Sequence, residues 1–213
     1  VSRTVSRGDV ALWVRQRRQC HWYQEYNDLY EAIDLAVQFI YGLGEVKFAI
    51  SNLAVGVQLY SEVWFHLDQL YRRFTYHVRS SGEASLMESL IEQIENLYTN
   101  NFLLKMNDRW QSIVDEATVW DASPILLQRN FYERCVLPFL NKDNKIYVII
   151  SDAMRFEIGD ELLSRIRKED RYEATLEPML SMLPSYTQLG MAALLPNKDL
   201  ALSIDGSGTV EVD

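Results

Sequence analysis

Hydrophobic residues recur every three to four positions over most of the first 140 residues, which is the spacing of an amphipathic helix. In LYEAIDLAVQFI, residues 29–40, one stripe is formed by Leu29, Ile33, Val37 and Ile40. Residues 52–78 repeat the pattern over a greater length. The pattern predicts long helices that face a common core.

Two further helices are predicted from their starting signals. Ser81 is placed to cap the first of them, whose apolar stripe consists of Leu86, Leu90, Ile94 and Leu97. The second is predicted at SPILLQRNFYERCVLPFL, with Ser123 as its cap and Pro124 at the first helical position, where a missing N–H costs nothing.

The pattern changes at Lys145. KIYVII, residues 145–150, is short, β-branched and apolar on both alternations, as in a strand buried on both faces of a parallel sheet. Residues 153–170 predict a helix with Met154, Ile158, Leu162 and Ile166 in phase, and residues 172–180 and 187–196 predict a second strand and a second helix. The fold prediction is therefore an α-helical region over 1–142, followed over 143–213 by the beginning of an α/β domain with an incomplete parallel sheet.

Composition narrows the function classes. The chain has 30 acidic and 21 basic residues and a net charge of −9, so it has no general basic field to attract nucleic acid or an anionic membrane. Its two cysteines, Cys20 and Cys135, form no CxxC pair, which is typical of a protein from a reducing compartment. No apolar run approaches the ~20 residues of a membrane span, and the cytoplasm is the expected location.

Asp152 follows the predicted first strand directly. Ligands of open parallel sheets bind at the carboxyl ends of the strands, and a divalent cation needs an anionic oxygen there. The alternative is that Ser151 or Asp152 merely caps the next helix. The local pattern leaves both interpretations open.

A loop with three hydroxyl side chains precedes the second predicted helix. Ser185, Tyr186 and Thr187 follow Pro184, and a hydroxyl at this position either caps the helix or, beside a metal, acts as a nucleophile. Gly190 costs helix propensity of order 1 kcal/mol, which indicates close packing or close approach of another group.

The sequences IISDAMRFEIGDELLSRI and YEATLEPMLSMLPSYTQLGMAALLP together resemble the PglZ family, the alkaline phosphatase-like component of BREX phage-defence systems, and in particular its type A members. The resemblance is specific over about residues 145–200. It implies that Asp152 is a metal ligand and that Thr187, in its P-S-x-T setting, is both the nucleophile and a metal ligand, with Ser185 as the second choice. Arg155 either faces phosphate or pairs with Asp152.

The resemblance further implies two divalent metal ions, with zinc expected, hydrolysis of phosphate esters, and other BREX defence proteins as partners. The family completes its site with further Asp and His ligands after the nucleophile, but this sequence has no histidine after His77. We therefore expect the chain to be a fragment that is inactive alone. Two alternatives stay open for the parent protein: a phosphodiesterase or nuclease acting on DNA or nucleotides, and a scaffold without catalytic activity.

Overall fold

A computed structural model of the chain describes residues 7–142, 145–204 and 210–212. The chain forms two compact units. One comprises Val1–Ser51 and Leu59–Glu116, and the other comprises Asn52–Gln58 and Ala117–Asp213. The division thus falls after Glu116, within the region that the sequence assigns to helices.

Most of the described residues are helical. The α-helices are α1 (Arg7–Arg17), α2 (Tyr23–Glu45), α3 (Leu53–Leu59), α4 (Phe65–Ser81), α5 (Glu88–Asn96), α6 (Leu104–Glu116), α7 (Leu137–Leu140), α8 (Phe156–Arg167) and α9 (Thr187–Ala193). Between them lie π-helical turns at Tyr60–Trp64, Leu97–Leu103 and Tyr132–Val136, and 3-10 turns at Ala84–Met87 and Gln128–Asn130. Among these residues, no helix combines the length and the hydrophobicity that a membrane crossing requires.

The core of the first unit is aromatic and aliphatic. Its largest fully buried hydrophobic side chains are Phe39, Phe74, Ile94 and Phe102, each at most 1% exposed. They come from α2, α4, α5 and the π turn after α5. The predicted stripes are only partly right: Leu29 and Ile40 pack against this core, but Ile33 and Val37 belong to a separate cluster, and Leu86 is 74% exposed. A smaller cluster of Val10, Val14 and Val37 packs α1 against α2.

One carboxylate lies within this core. Asp68 of α4 is 2% exposed and accepts hydrogen bonds from the hydroxyls of Tyr60 and Tyr98, each at 2.6 Å. The Tyr98 ring stacks on Tyr71 with the ring centroids 3.7 Å apart. The polar group is thus buried together with its hydrogen-bond donors.

A second polar cluster ties the end of α1 to α2. Arg18 contacts Glu31 at 2.6 Å, and the Tyr23 hydroxyl donates a 2.5 Å hydrogen bond to the same carboxylate oxygen. Burial alone would raise the pKa of Glu31, but the hydrogen bonds from Tyr23 and Arg18 outweigh it and lower that pKa. In α4, His77 lies 2.6 Å from Asp28.

Both predicted capping positions are wrong. Ser81 is the last residue of α4 and its hydroxyl donates to the Val78 carbonyl, while Gly82 follows in a left-handed conformation with φ of 69°. Helix α5 begins only at Glu88, without a side-chain cap. Ser123 and Pro124 start no helix, because an extended segment follows them and helical turns begin at Gln128.

The strands of the second unit are short. Leu126–Leu127 (β1) pairs in parallel with Met179–Leu180 (β2), so that Leu126 is opposite Met179 and Leu127 opposite Leu180. Leu202–Ile204 (β3) pairs antiparallel with Val210–Val212 (β4). A mostly helical chain with a small parallel pair of strands is consistent with part of an α/β domain, although the second strand predicted over 172–180 is confined to its last two residues.

The prediction of a buried strand over residues 145–150 is wrong for this structure. These residues form no strand pairing with the described part of the chain, and Tyr147 and Ile149 are 87% and 92% exposed. Hydrophobicity favours a strand, but a ladder needs a neighbour to accept its hydrogen bonds. The stripe predicted for α8 is likewise exposed at Met154, Ile158 and Leu162.

Candidate active site

Asp152 lies in a turn between residues 145–150, which have no assigned secondary structure, and α8. Helix α8 begins at Phe156, and Arg155, the residue before it, makes no side-chain capping hydrogen bond. The capping interpretation of Ser151 and Asp152 is therefore wrong. Both side chains are exposed, and Ala153 beside them has a φ of 52°, which is uncommon for a residue with a side chain.

Arg155 points its charge toward a buried carboxylate. Its Nε lies 3.9 Å from Oε1 of Glu157, which is fully buried in the first turn of α8. Since the Arg155 side chain is 47% exposed, the cation stays at the surface of this turn. The sequence predicts phosphate or Asp152 as the partner of Arg155. It does not predict Glu157, because nothing in the pattern distinguishes a buried glutamate from a solvated one.

Thr187 is the first residue of α9, and it is exposed. Tyr186 precedes it in an extended conformation and makes no side-chain cap. The Gly190 N–H donates to the Tyr186 carbonyl at 2.9 Å, which closes the first turn of the helix. Ser185 is exposed in the same loop, so both candidate nucleophiles are accessible.

The loop that carries Thr187 is anchored from residues before Phe131. The Trp120 indole N–H donates to the Ser181 carbonyl at 2.8 Å. The Gln128 side chain accepts from the Met182 N–H and donates to the Gly190 carbonyl, both at 3.1 Å. Sequence analysis missed these anchors, because contacts across 54 to 62 residues leave no periodic signal.

Cys135 is a further nucleophilic side chain of this unit. Burial raises the pKa of its thiol, and the charge of Glu177 raises it further. A raised pKa keeps the thiol protonated and poorly nucleophilic. The hydroxyls of the Thr187 loop are therefore the better candidates.

The described residues do not provide a metal site on their own. Asp152 and Thr187 offer oxygen donors of a suitable kind, but a catalytic zinc takes about three protein ligands. Within residues 7–142, 145–204 and 210–212, no group of three or more His, Cys, Asp or Glu side chains is close enough to hold an ion. The donor set does not fit a resident metal without further ligands.

Comparison with known proteins places this region in a class. Residues 131–213 match the family model described as the BREX system PglZ alkaline phosphatase-like domain. The part of the chain that holds Asp152 and Thr187 is thus alkaline phosphatase-like. No solved structure matches the chain significantly.

Two curated proteins are similar over most of the chain. The alkaline phosphatase-like protein PglZ of Bacillus cereus (strain H3081.97) is 30% identical over 89% of this chain, and the alkaline phosphatase-like protein BrxZ of Escherichia coli O9:H4 (strain HS) is 34% identical over 100% of it. The chain belongs to the PglZ family associated with BREX systems. It spans about a quarter of the length of these relatives, 23% and 26%.

Proposed function

We propose that the full-length protein hydrolyses phosphate esters within a BREX phage-defence system, with Thr187 as nucleophile and Asp152 as a metal ligand. The observation that carries the proposal is the accessibility of both side chains inside the matching region, without a capping role for either. A side chain that only capped the N-terminus of a helix would accept a hydrogen bond from one of its first N–H groups.

The proposed reaction has two steps. The Thr187 hydroxyl attacks phosphorus and loses its proton, and the ester P–O bond breaks as the alcohol leaves with a proton. Water then attacks the phosphothreonine, which releases inorganic phosphate and restores the hydroxyl. Two divalent metal ions, which we expect to be zinc, would neutralise the charge of the phosphate when they are bound to the full-length protein.

The rest of the site is proposed to come from the full-length protein. Asp152 and Thr187 are two donors, and further Asp and His ligands would complete the set. We therefore expect the 213-residue chain alone to show no turnover. The protein is proposed to act in the cytoplasm together with other BREX proteins.

The decisive experiment compares Thr187→Ala, Ser185→Ala and Asp152→Ala in the purified full-length protein. Para-nitrophenyl phosphate and its bis ester serve as probes, and zinc is measured by mass spectrometry. We expect Thr187→Ala to lose turnover by at least about 10³-fold and to keep its fold, while Ser185→Ala stays active. Asp152→Ala should lose both zinc and turnover.

The same variants separate the alternatives. Activity on the bis ester or on DNA in excess of the monoester would favour a phosphodiesterase or nuclease. A Thr187→Ala protein that still protects cells from phage and still copurifies with the other BREX proteins would favour the scaffold. Loss of activity in Ser185→Ala but not in Thr187→Ala would move the nucleophile to Ser185.

A further inference from the structure

The Gln128 side chain contacts both ends of the loop that carries Thr187. Its Oε1 accepts the Met182 N–H and its Nε2 donates to the Gly190 carbonyl, with both distances 3.1 Å. A carbonyl must meet an N–H and an NH2 must meet a carbonyl, so these two partners fix the orientation of the amide. Residues 182 and 190 bracket Ser185 and Thr187.

The position of Gln128 follows from the parallel strand pair. Leu127 is opposite Leu180, and both are buried, at 9% and 3% exposure. Gln128 directly follows β1, and the loop directly follows β2, so the strand register brings the amide beside the loop. The indole N–H of Trp120, which like Gln128 precedes the loop in sequence, donates to the Ser181 carbonyl.

Gly190 packs against this amide. A Cβ built on Gly190 would lie 3.4 Å from Nε2 and 3.8 Å from Oε1 of Gln128. These distances are ordinary van der Waals contacts, so the amide packs against Gly190 without requiring a glycine there, and the same side chain binds the Gly190 carbonyl. One amide thus joins the loop before the nucleophile to the first turn of the helix after it.

We propose that Gln128 is a positioning residue that fixes the Thr187 hydroxyl for attack on the phosphate ester. This inference rests on the proposed function. Gln128 does not contact the reacting atoms in the proposed reaction; it acts by holding the backbone at residues 182 and 190. A nucleophile displaced by about 1 Å can lose on the order of 100-fold in rate.

The test uses full-length Gln128→Glu and Gln128→Ala. The glutamate is nearly isosteric and keeps an acceptor for Met182, but it loses the donor to the Gly190 carbonyl. Arg129→Ala is the matched control, because the Arg129 side chain is exposed. The Asn197 amide donates to the Arg129 backbone carbonyl, which the substitution leaves in place. Each protein is measured for kcat, KM, zinc content, thermal midpoint and deuterium uptake of the peptide covering residues 182–190.

We expect both Gln128 variants to lower kcat by about 10- to 100-fold with KM and zinc content unchanged, and to speed exchange within 182–190. Arg129→Ala should match the wild type. A purely structural role would lower the thermal midpoint and leave kcat and the exchange of this peptide unchanged, which would overturn the inference. If Gln128→Ala fails to fold, Gln128→Glu decides.

The Thr187→Ala protein distinguishes failure of the positioning role from failure of the proposed function. If it is inactive while the Gln128 variants keep wild-type kcat and exchange, the positioning role is wrong and the proposed function stands. If it keeps full activity, the proposed nucleophile is wrong and the positioning role fails with it.

Discussion

The carboxylate of Asp68 sets a measurable part of the stability of the helical unit. Replacing Asp68 by Ala removes the acceptor that both Tyr60 and Tyr98 use inside the core. Each buried hydroxyl deprived of its acceptor costs about 1–3 kcal/mol. The two together predict a loss of about 2–6 kcal/mol, which is a large share of the ~5–15 kcal/mol that stabilises a typical domain.

Graded variants apportion this loss. Asp68→Asn keeps one acceptor oxygen, so one tyrosine keeps its partner and we expect roughly half the cost of Asp68→Ala. Tyr60→Phe and Tyr98→Phe each remove one donor without leaving a buried hydroxyl, and each should cost about 0.5–1.5 kcal/mol. The two tyrosines should not act independently, because they share one carboxylate.

Hydrogen exchange of the α4 amides measures the local opening free energy, which avoids treating two compact units as one transition. The exchange rates of Asp68→Ala and the wild type are compared under conditions where opening is reversible. A change below about 1 kcal/mol would refute the assignment of the carboxylate as a structural acceptor. So would an Asp68→Asn protein as unstable as Asp68→Ala.

Two further predictions concern stability. The lowered pKa of Glu31 gives stabilisation that is present above the usual glutamate pKa of 4.5 and is lost as pH falls through the lower folded value. Glu31→Gln should therefore cost about 1 kcal/mol of stability at pH 7. Urea titrations should show that the stability difference from wild type shrinks toward pH 3. Gly82 has a φ of 69° with no atom within 4 Å of a built Cβ, so Gly82→Ala should cost about 1 kcal/mol through the backbone alone. Gly44→Ala, where the space is equally open and no positive φ occurs, is the control and should be neutral or stabilising; equal effects at the two glycines would contradict this account.

The helical unit was predictable because its signal is local. A stripe such as that over residues 29–40 needs only its own 3.6-residue period, and α2 contains it. Helices α8 and α9 were found for the same reason: α8 starts later than predicted, at Phe156, and α9 starts at Thr187 as predicted. Whether α8 buries its apolar stripe depends on neighbours that no local pattern describes.

The site was predictable in its residues but not in its supports. Asp152 and Thr187 stand out through their places at segment ends and through the family resemblance, and their roles remain predictions. Glu157 and Gln128 carry no such mark, because burial and long-range hydrogen bonds arise only once distant segments meet. The misplaced helix at Ser123 shows the same limit: a local start signal was outweighed by pairing with residues 179–180.

The exposed segment 145–150 has a consequence for how the chain behaves in solution. Its exposed apolar side chains, Tyr147, Val148 and Ile149, form a run onto which a second chain can add by apolar contact. Such addition grows with concentration and is blocked by a charge placed within the run. Residues 145–150 thus favour self-association of the isolated chain, and a charged substitution within them would oppose it.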